Sequence, residues 1–138
     1  MFVSLAHPAI ELKRATNGSA GYDLAAYGQH KLQAGINKVR TGVKVAIPEG
    51  YYGQIALRSG FSGRTGCVAT AGIIDSDYRG ELIVMLVAPQ SLVIDDGEKF
   101  AQLIIVRIAT PNIIVVSQLP NAEQLHLGFG STDFKPKE

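Results

Sequence analysis

The sequence has few of the residues that build disulfide-rich, metal-binding or strongly charged domains. Its 138 residues include one cysteine, Cys67, and no tryptophan. A single cysteine excludes an internal disulfide and a cysteine-based zinc site, so we interpret Cys67 as a packing residue of a protein from a reducing compartment. Charged residues make up only 18% of the chain, and 13 basic and 12 acidic side chains leave a net charge of +1. Nucleic-acid-binding domains are usually far more basic, so we expect no nucleic-acid partner.

Long hydrophobic runs and targeting features are also lacking. The longest apolar run, Leu82–Pro89, is far shorter than the ~20 residues that cross a bilayer. The first residues contain no basic segment of the kind that opens a secretory signal, and charged side chains begin by Glu11. We therefore expect no membrane association and an intracellular location, cytoplasmic or nuclear, with a viral source compatible with the sequence.

Glycine and proline are frequent, and they divide a chain of single-domain length into short segments. The sequence has 15 glycines, 6 prolines and 46% hydrophobic residues. Runs of alternating or β-branched apolar residues predict strands at Val43–Ile47, Tyr52–Leu57, Glu81–Val87, Phe100–Val106 and Ile113–Val116. The third of these runs is rich enough in apolar residues to predict burial on both faces. No stretch has a helical period of a dozen residues, and the best short candidate, Ser59–Thr65, is a poor helix because it contains two glycines. The sequence thus predicts an all-β sandwich, jelly roll or distorted barrel.

Five segments combine glycine with polar groups in patterns that a core does not require: Gly18–Leu24, Arg58–Gly60, Ala71–Glu81, Gly97–Leu103 and Leu127–Thr132. An arginine and a hydroxyl directly after a strand, with free backbone N–H groups, can hold a phosphate. A glutamine in an apolar strand, Gln102, must either brace backbone or face a ligand. Phe129, between two glycines, offers a flat face to a base. Taken singly, each segment is also compatible with a turn or a solvated terminus.

Together and in this order, the five segments resemble the five motifs of the trimeric deoxyuridine triphosphatases, the dUTPases. The resemblance extends from about residue 8 to residue 133, and its third motif is the most specific. It implies a jelly-roll-like distorted β-barrel over residues 1–120 and a flexible C-terminal arm, residues 121–138, that closes over the active site. It further implies a homotrimer with three sites at subunit boundaries. The implied reaction is Mg²⁺-dependent hydrolysis of dUTP to dUMP and pyrophosphate.

The resemblance also implies roles for individual residues. Asp75 would be the general base that activates a water aimed at the α-phosphorus. Tyr78 would pack under the deoxyribose and leave no space for a ribose 2′-hydroxyl. Asp23 would contact the water shell of a Mg²⁺ ion that the triphosphate holds. The remaining implied contacts are Arg58, Ser59, Gly60 and Gln102 to phosphate, Ala71, Gly72, Ile73 and Ile74 to uracil through their backbone, and Phe129, Gly130 and Ser131 from the arm.

The fifth motif departs from the family pattern. Gln124 and Leu125 stand where the family usually has an arginine–glycine pair, so a permanent cation is absent there. We expect weaker triphosphate binding as a result. Arg64, after the second motif, could lend charge to the phosphates, but a solvated loop side chain is the simpler interpretation.

Two other functions fit parts of the pattern. A dCTP deaminase shares the implied fold, but its chemistry calls for a glutamate base beside the C4 amine and for a different second motif. A catalytically weak protein that senses dUTP would keep Phe129 and the hairpin, roughly Val68–Ile74, in which the resemblance places the uracil pocket, and it would lose turnover through the altered arm. Release of pyrophosphate from dUTP, release of ammonia from dCTP, and binding of dUTP without turnover separate the three hypotheses.

Overall fold

The computed structural model describes residues 1–122, and within them the chain is almost entirely β. Its elements are β1 (Phe2–Leu5), β2 (Gly21–Ala25), β3 (His30–Leu32), β4 (Gly35–Arg40), β5 (Val43–Ala46), β6 (Tyr51–Leu57), α1 (Ser59–Thr65), β7 (Val68–Ala69), β8 (Ile73–Ile74), β9 (Ile83–Ala88), β10 (Leu92–Ile94) and β11 (Lys99–Arg107). The all-β prediction is confirmed, and four of the five predicted strands correspond to β5, β6, β9 and β11.

The strands form four antiparallel sheets. The largest has the order β2-β11-β6-β8, and a second has the order β4-β9-β7. Two-stranded pairs, β1-β5 and β10-β3, complete the described part of the fold. Because β11 lies between β2 and β6, residues far apart in sequence become neighbours on one sheet face.

The core forms from the inward faces of these sheets. In β9 the buried residues Val84, Leu86 and Ala88 alternate with more exposed ones, and Val87 is 39% exposed. Burial of this strand on both faces was therefore the wrong prediction, since its outer face is only partly covered in the single chain. Cys67 is a free thiol in the core with no exposed surface, which agrees with its interpretation as a packing residue.

Helix α1 corrects the sequence-based expectation that Ser59–Thr65 is a poor helix. Its stabilisation comes from tertiary packing, because the buried ring of Phe61 meets Phe100 edge to face at 5.8 Å. Gly66 ends the helix in the left-handed region, with φ of 73°, and its N–H donates to the Ser62 carbonyl at 2.8 Å. Among residues 1–122, no helix is long and apolar enough to cross a membrane.

The run Ile113–Val116 is not a strand, which corrects the fifth strand prediction. In the described chain no strand follows the end of β11 at Arg107. Ile113, Ile114 and Val115 are 81–91% exposed. The local preference for extended structure is satisfied in a strand only when a partner edge is available, and the single chain offers none here.

Thr41, between β4 and β5, is a buried polar residue whose hydroxyl joins two parts of the core. It donates to the Leu82 carbonyl at 2.6 Å and accepts from the Val43 N–H at 3.2 Å. Thr41→Val keeps the shape but leaves these backbone groups without that partner, so we expect a loss of about 1–3 kcal/mol in the free energy of unfolding. Urea unfolding measures this loss, with the exposed Thr110→Val as the matched control. Equal stability of the two variants would contradict the assigned role of the Thr41 hydroxyl.

Candidate active site

A cavity of about 500 Å³ lies where the start of α1 meets strands β2 and β11. Three of the five motifs supply its lining: Gly21 and Asp23 from the first, Arg58, Ser59 and Gly60 from the second, and Lys99 and Gln102 from the fourth. Strand pairing explains this meeting, because Gln102 lies opposite Asp23 on one side and Ala56 on the other. The structure thus brings together the residues for which the resemblance implied phosphate and metal contacts.

The charges in this cavity are arranged as ion pairs around two carboxylates. Asp23, whose side chain is only 12% exposed, lies 3.5 Å from the Arg58 Nε and 4.0 Å from the Lys99 Nζ. Glu98 lies 3.5 Å from a terminal nitrogen of Arg64. Three cations therefore face two carboxylates, and this excess of positive charge favours an anionic ligand.

The start of α1 adds backbone donors to the cavity. The N–H of Ser62 donates to the Arg58 carbonyl at 2.9 Å, so the N–H groups of Ser59 and Gly60 come before the first intrahelical hydrogen bond. No atom lies within 4 Å of the point where a Cβ on Gly60 would stand, so the space beside its backbone is open. Free N–H groups with open space and nearby cations can hold phosphate oxygens.

Gln102 both braces backbone and faces the cavity. Its amide nitrogen donates to the Leu57 carbonyl at 3.5 Å, a long contact that leaves most of its hydrogen-bonding capacity for a ligand. The amide lies over Gly21, where a Cβ would come within 2.5 Å of the Gln102 Oε1 and 2.9 Å of its Cβ. A glycine at this position of the first motif therefore makes room for the glutamine of the fourth.

The third motif lies elsewhere on the chain. Asp75 and Tyr78 line a separate cleft of about 150 Å³. Ile74, the residue before Asp75, is in β8 and pairs with Gly53 of β6, so β6 separates it from β11. Gln102 pairs with Ala56 of β6, and Ile74 pairs with Gly53 of the same strand. The two residues are therefore separated by two strand spacings across the sheet and by three residues along β6, which places their Cα atoms about 14 Å apart. One chain therefore does not bring Asp75 to the cavity that the first, second and fourth motifs line.

Within the third motif, a turn sets the positions of both functional candidates. The Tyr78 N–H donates to the Asp75 carbonyl at 3.1 Å. The exposed Asp75 carboxylate makes no hydrogen bond or ion pair with any residue of the described range 1–122, so it is available to a water or ligand. The Tyr78 hydroxyl donates to the Glu81 carbonyl at 2.8 Å, and the side chain occupies the space beside Gly80, where a Cβ would lie 2.5 Å from the hydroxyl oxygen and 2.7 Å from the ring carbon that bears it.

Glu81 anchors this turn to the neighbouring sheet. Its carboxylate accepts hydrogen bonds from Arg40 at 2.8 and 3.1 Å. The Arg40 guanidinium, chiefly through this hydrogen bond, lowers the pKa of Glu81 below its ordinary value. The charged pair holds the end of the third motif against β4, and it thereby holds the backbone carbonyl to which Tyr78 bonds.

The segment Val68–Ile74, expected as a hairpin, reverses direction, but its two arms pair with different strands. β7 pairs with β9, and β8 pairs with β6. The reversal uses positive φ at Ala71 (56°) and Gly72 (104°), and a Cβ at Gly72 would lie 2.8 Å from the Ile55 carbonyl oxygen. Ala71, Gly72, Ile73 and Ile74 line a mostly apolar cleft of about 280 Å³ beside the third motif. An apolar cleft edged by backbone groups suits a flat, polar-edged ring.

Sequence reasoning misplaced one cavity residue. Arg64 is in the last turn of α1 rather than in a loop, and it lines the cavity together with Ser59 and Gly60. A helix prediction would have revealed this, because Arg64 follows Gly60 by four residues and so shares its face. The predicted contacts Phe129, Gly130 and Ser131, and the altered positions Gln124 and Leu125, lie outside the described residues.

Within residues 1–122, no group of three or more His, Cys, Asp or Glu side chains is placed to hold a metal ion. The carboxylates of the cavity are Asp23 and Glu98, and both are already paired with cations. The side chains of residues 1–122 therefore do not provide a complete set of metal ligands by themselves. This donor set fits a Mg²⁺ ion that keeps its waters and is carried by substrate phosphates.

Comparison with known sequences finds close relatives. The sequence matches the family model described as dUTPase over residues 7–133. It is 41% identical over 122 residues to the deoxyuridine 5′-triphosphate nucleotidohydrolase of Paramecium bursaria Chlorella virus 1, covering 86% of each chain. It is 38% identical over 134 residues to the mitochondrial enzyme of that name from Dictyostelium discoideum, covering 95% of this chain and 75% of the relative.

Comparison with solved structures confirms the jelly-roll-like β fold. A dUTPase variant from phage phi11 of S. aureus, described with a structural Mg(II) ion, superposes with a TM-score of 0.79 at 28% identity and covers 85% of this chain and 96% of its own. A Staphylococcus bacteriophage 80alpha dUTPase variant with dUpNHpp gives 0.77 at 28% identity, covering 86% and 96%. Fold, order of motifs and sequence match over residues 7–133 all agree, and the chain belongs to the dUTPase family.

Proposed function

We propose that this protein is a dUTP diphosphatase, which hydrolyses dUTP to dUMP and pyrophosphate with Mg²⁺. The observation that carries this proposal is the cavity that Ser59, Gly60 and Gln102 line together, in which cationic side chains outnumber carboxylates. Membership of the dUTPase family and relatives named as deoxyuridine 5′-triphosphate nucleotidohydrolases support the same substrate.

The active form would be a homotrimer whose sites are completed by a second copy. The separation of about 14 Å between Gln102 and Ile74 supports this assembly, because Asp75 cannot act on a phosphate held in the cavity of its own chain. The exposed apolar residues Ile113, Ile114 and Val115 support it too, since a monomer gains nothing by leaving them in water.

Asp75 would be the general base. Aspartates are ionised at neutral pH, and this carboxylate has no other partner among residues 1–122. It would take a proton from a water as that water attacks the α-phosphorus in line with the leaving group. A P–O bond forms to the water oxygen, the bond to the bridging oxygen breaks, and pyrophosphate leaves with the electron pair.

The remaining phosphates would lie in the cavity. The N–H groups of Ser59 and Gly60 and the amide of Gln102 would donate to phosphate oxygens, with Arg58 adding charge. A Mg²⁺ ion bound to the phosphates would neutralise part of their charge, and Asp23 would accept hydrogen bonds from its waters. The neighbouring Arg58 and Lys99 keep that partly buried carboxylate paired.

The nucleoside would bind in the clefts beside the third motif. Backbone groups of Ala71, Gly72, Ile73 and Ile74 would read the edge of uracil as a neighbouring strand would. The Tyr78 ring, fixed by its bond to the Glu81 carbonyl, would exclude a ribose 2′-hydroxyl. The arm, residues 121–138, would then close over the substrate, with Phe129 on the base and Gly130 and Ser131 over the phosphates.

Asp75→Asn removes the proposed base while keeping the size of the side chain. We expect kcat to fall by about three orders of magnitude or more, with binding of a non-hydrolysable dUTP analogue nearly unchanged. Steady-state release of pyrophosphate and calorimetric titration measure the two effects. Asp77→Asn, two residues away in the same exposed turn, is the matched control and should keep wild-type kcat. A fully active Asp75→Asn variant would exclude Asp75 as the base.

Mixing two inactive variants tests the shared site. Asp75→Asn disables the cleft and Gln102→Ala disables the cavity, so a mixed trimer regains a complete site wherever the intact cavity of one subunit meets the intact cleft of another. We expect about a quarter of wild-type activity after the two variants are unfolded together and refolded at equal amounts. If each site belonged to a single chain, the mixture would stay as inactive as its components.

Alanine substitutions at Gly60 and Gly63 form a matched pair that tests the proposed phosphate contact at Gly60. Both are in α1 with no atom within 4 Å of an added Cβ, but only Gly60 lines the cavity. Gly60→Ala should raise KM for dUTP about tenfold, because its methyl occupies the space through which phosphate reaches the N–H groups. Gly63→Ala should leave KM unchanged, and both variants should unfold at or slightly above the wild-type Tm. Equal KM values in the two variants would contradict phosphate binding at Gly60.

A further inference from the structure

We infer that Arg64 is a further substrate-binding residue, which engages the pyrophosphate part of the triphosphate that leaves in the reaction. This inference rests on the proposed function. Arg64 is in the last turn of α1 and lines the same cavity as Ser59 and Gly60. It follows Gly60 by four residues on the same helix face, about 6 Å further along the axis. A chain of linked phosphates can span that separation.

The contacts of Arg64 hold its guanidinium in place without using up its donors. The guanidinium carbon lies 5.7 Å from the centre of the Phe61 ring, and the burial of Phe61 makes this ring a fixed platform. One terminal nitrogen reaches Glu98 at 3.5 Å, and the side chain is 66% exposed. An arginine carries five N–H donors, so this single long contact leaves most of them for a ligand.

Arg64 is also the cation of the cavity that is least committed to the protein. Arg58 and Lys99 both face the carboxylate of Asp23, which is 12% exposed and so poorly screened by water. Glu98, the partner of Arg64, is more exposed at 28%. An incoming phosphate can therefore displace Glu98 from Arg64 more easily than it can draw Arg58 from Asp23. The planar guanidinium then pairs with two phosphate oxygens at once.

The position of Arg64 indicates which phosphates it meets. The proposed base, Asp75, and the proposed uracil cleft share the third-motif region, so the α-phosphate and the nucleoside belong there. The cavity at α1 is a different concavity, and it would receive the phosphates that lie beyond the α-phosphate. A residue that acts on the leaving pyrophosphate contributes to dUTP binding and not to dUMP binding.

The test is Arg64→Gln in the full-length protein, with three measurements: KM and kcat for dUTP, the Kd of a non-hydrolysable dUTP analogue, and the inhibition constant of dUMP. We expect KM and the analogue Kd to rise about tenfold, and the dUMP constant to stay within about twofold of wild type. Arg64→Lys keeps the positive charge but lacks the planar guanidinium, so its KM and analogue Kd should lie between those of the wild type and of Arg64→Gln.

Arg107→Gln is the matched control. Arg107 also lies over an aromatic ring, with its guanidinium carbon 5.6 Å from the centre of Tyr51, but it does not line the cavity. The Arg107→Gln substitution removes the same positive charge as Arg64→Gln and should leave all three measurements unchanged. An equal rise of KM in this variant would assign the effect to net charge and overturn the inference.

The remaining outcomes are distinct. Wild-type protein that releases no pyrophosphate from dUTP would overturn the proposed function and this inference with it. Active wild type with unchanged dUTP constants in Arg64→Gln would overturn the inference alone. If Arg64→Gln weakened the binding of the dUTP analogue and of dUMP equally, or lowered the Tm along with the affinity, Arg64 would only support α1. Either result would overturn the inference as well. Selective weakening of dUTP over dUMP at unchanged Tm supports it.

Discussion

Strand β11 hydrogen bonds to β2 on one side and to β6 on the other, and the polar cavity exists because of this double pairing. Gln102 lies in one row with Asp23 and Ala56. A β-bulge falls between Lys99 and Ala101, so Phe100 and Ala101 are both buried and Lys99 and Gln102 both line the cavity. Without the extra residue, two positions of odd separation would face opposite sides of the sheet. The bulge therefore adds a cation beside Asp23 without moving Gln102.

The same strand fixes the start of α1. The Arg58 N–H donates to the Phe100 carbonyl at 2.9 Å, and the Phe100 ring packs against Phe61 in the first turn of the helix. A seven-residue helix with two glycines has little stability of its own. The start of the helix lines the cavity because β11 holds both the backbone of Arg58 and the one buried ring of the helix, Phe61. The ring of Phe61 thus packs this short element against Phe100, while Ser59, Gly60 and Arg64 of the same element line the cavity.

The sequence was sufficient for the strands with strong apolar alternation and for the recognition of the family, because both depend on local pattern. It failed at α1, where tertiary contact with Phe100 overrides the poor helix propensity of Gly60 and Gly63. It also failed to place Arg64, since the position of that side chain follows from the helix. The run Ile113–Val116 has the pattern of a strand, but pairing depends on an edge that the pattern does not encode. The separation of Asp75 from Gln102 follows from sheet order, which alternation along single strands does not reveal.

In the proposed trimer, exposed apolar surface would connect assembly to catalysis. The outer face of the sheet β4-β9-β7 carries a row of apolar side chains, because Ile36 and Val68 both pair with Val87 and all three are exposed. The residues of Ile113–Val116 are exposed as well, so several large apolar side chains of the single chain lie in water, and such exposed apolar surface is typical of an interaction site. Burial of such surface drives association, and association is also what a site divided between a cavity and a distant cleft requires. Burial of these apolar side chains would therefore drive the assembly that brings Asp75 of one subunit to the phosphates held in the cavity of another. An isolated subunit would contain both halves of the site but could not combine them on one substrate.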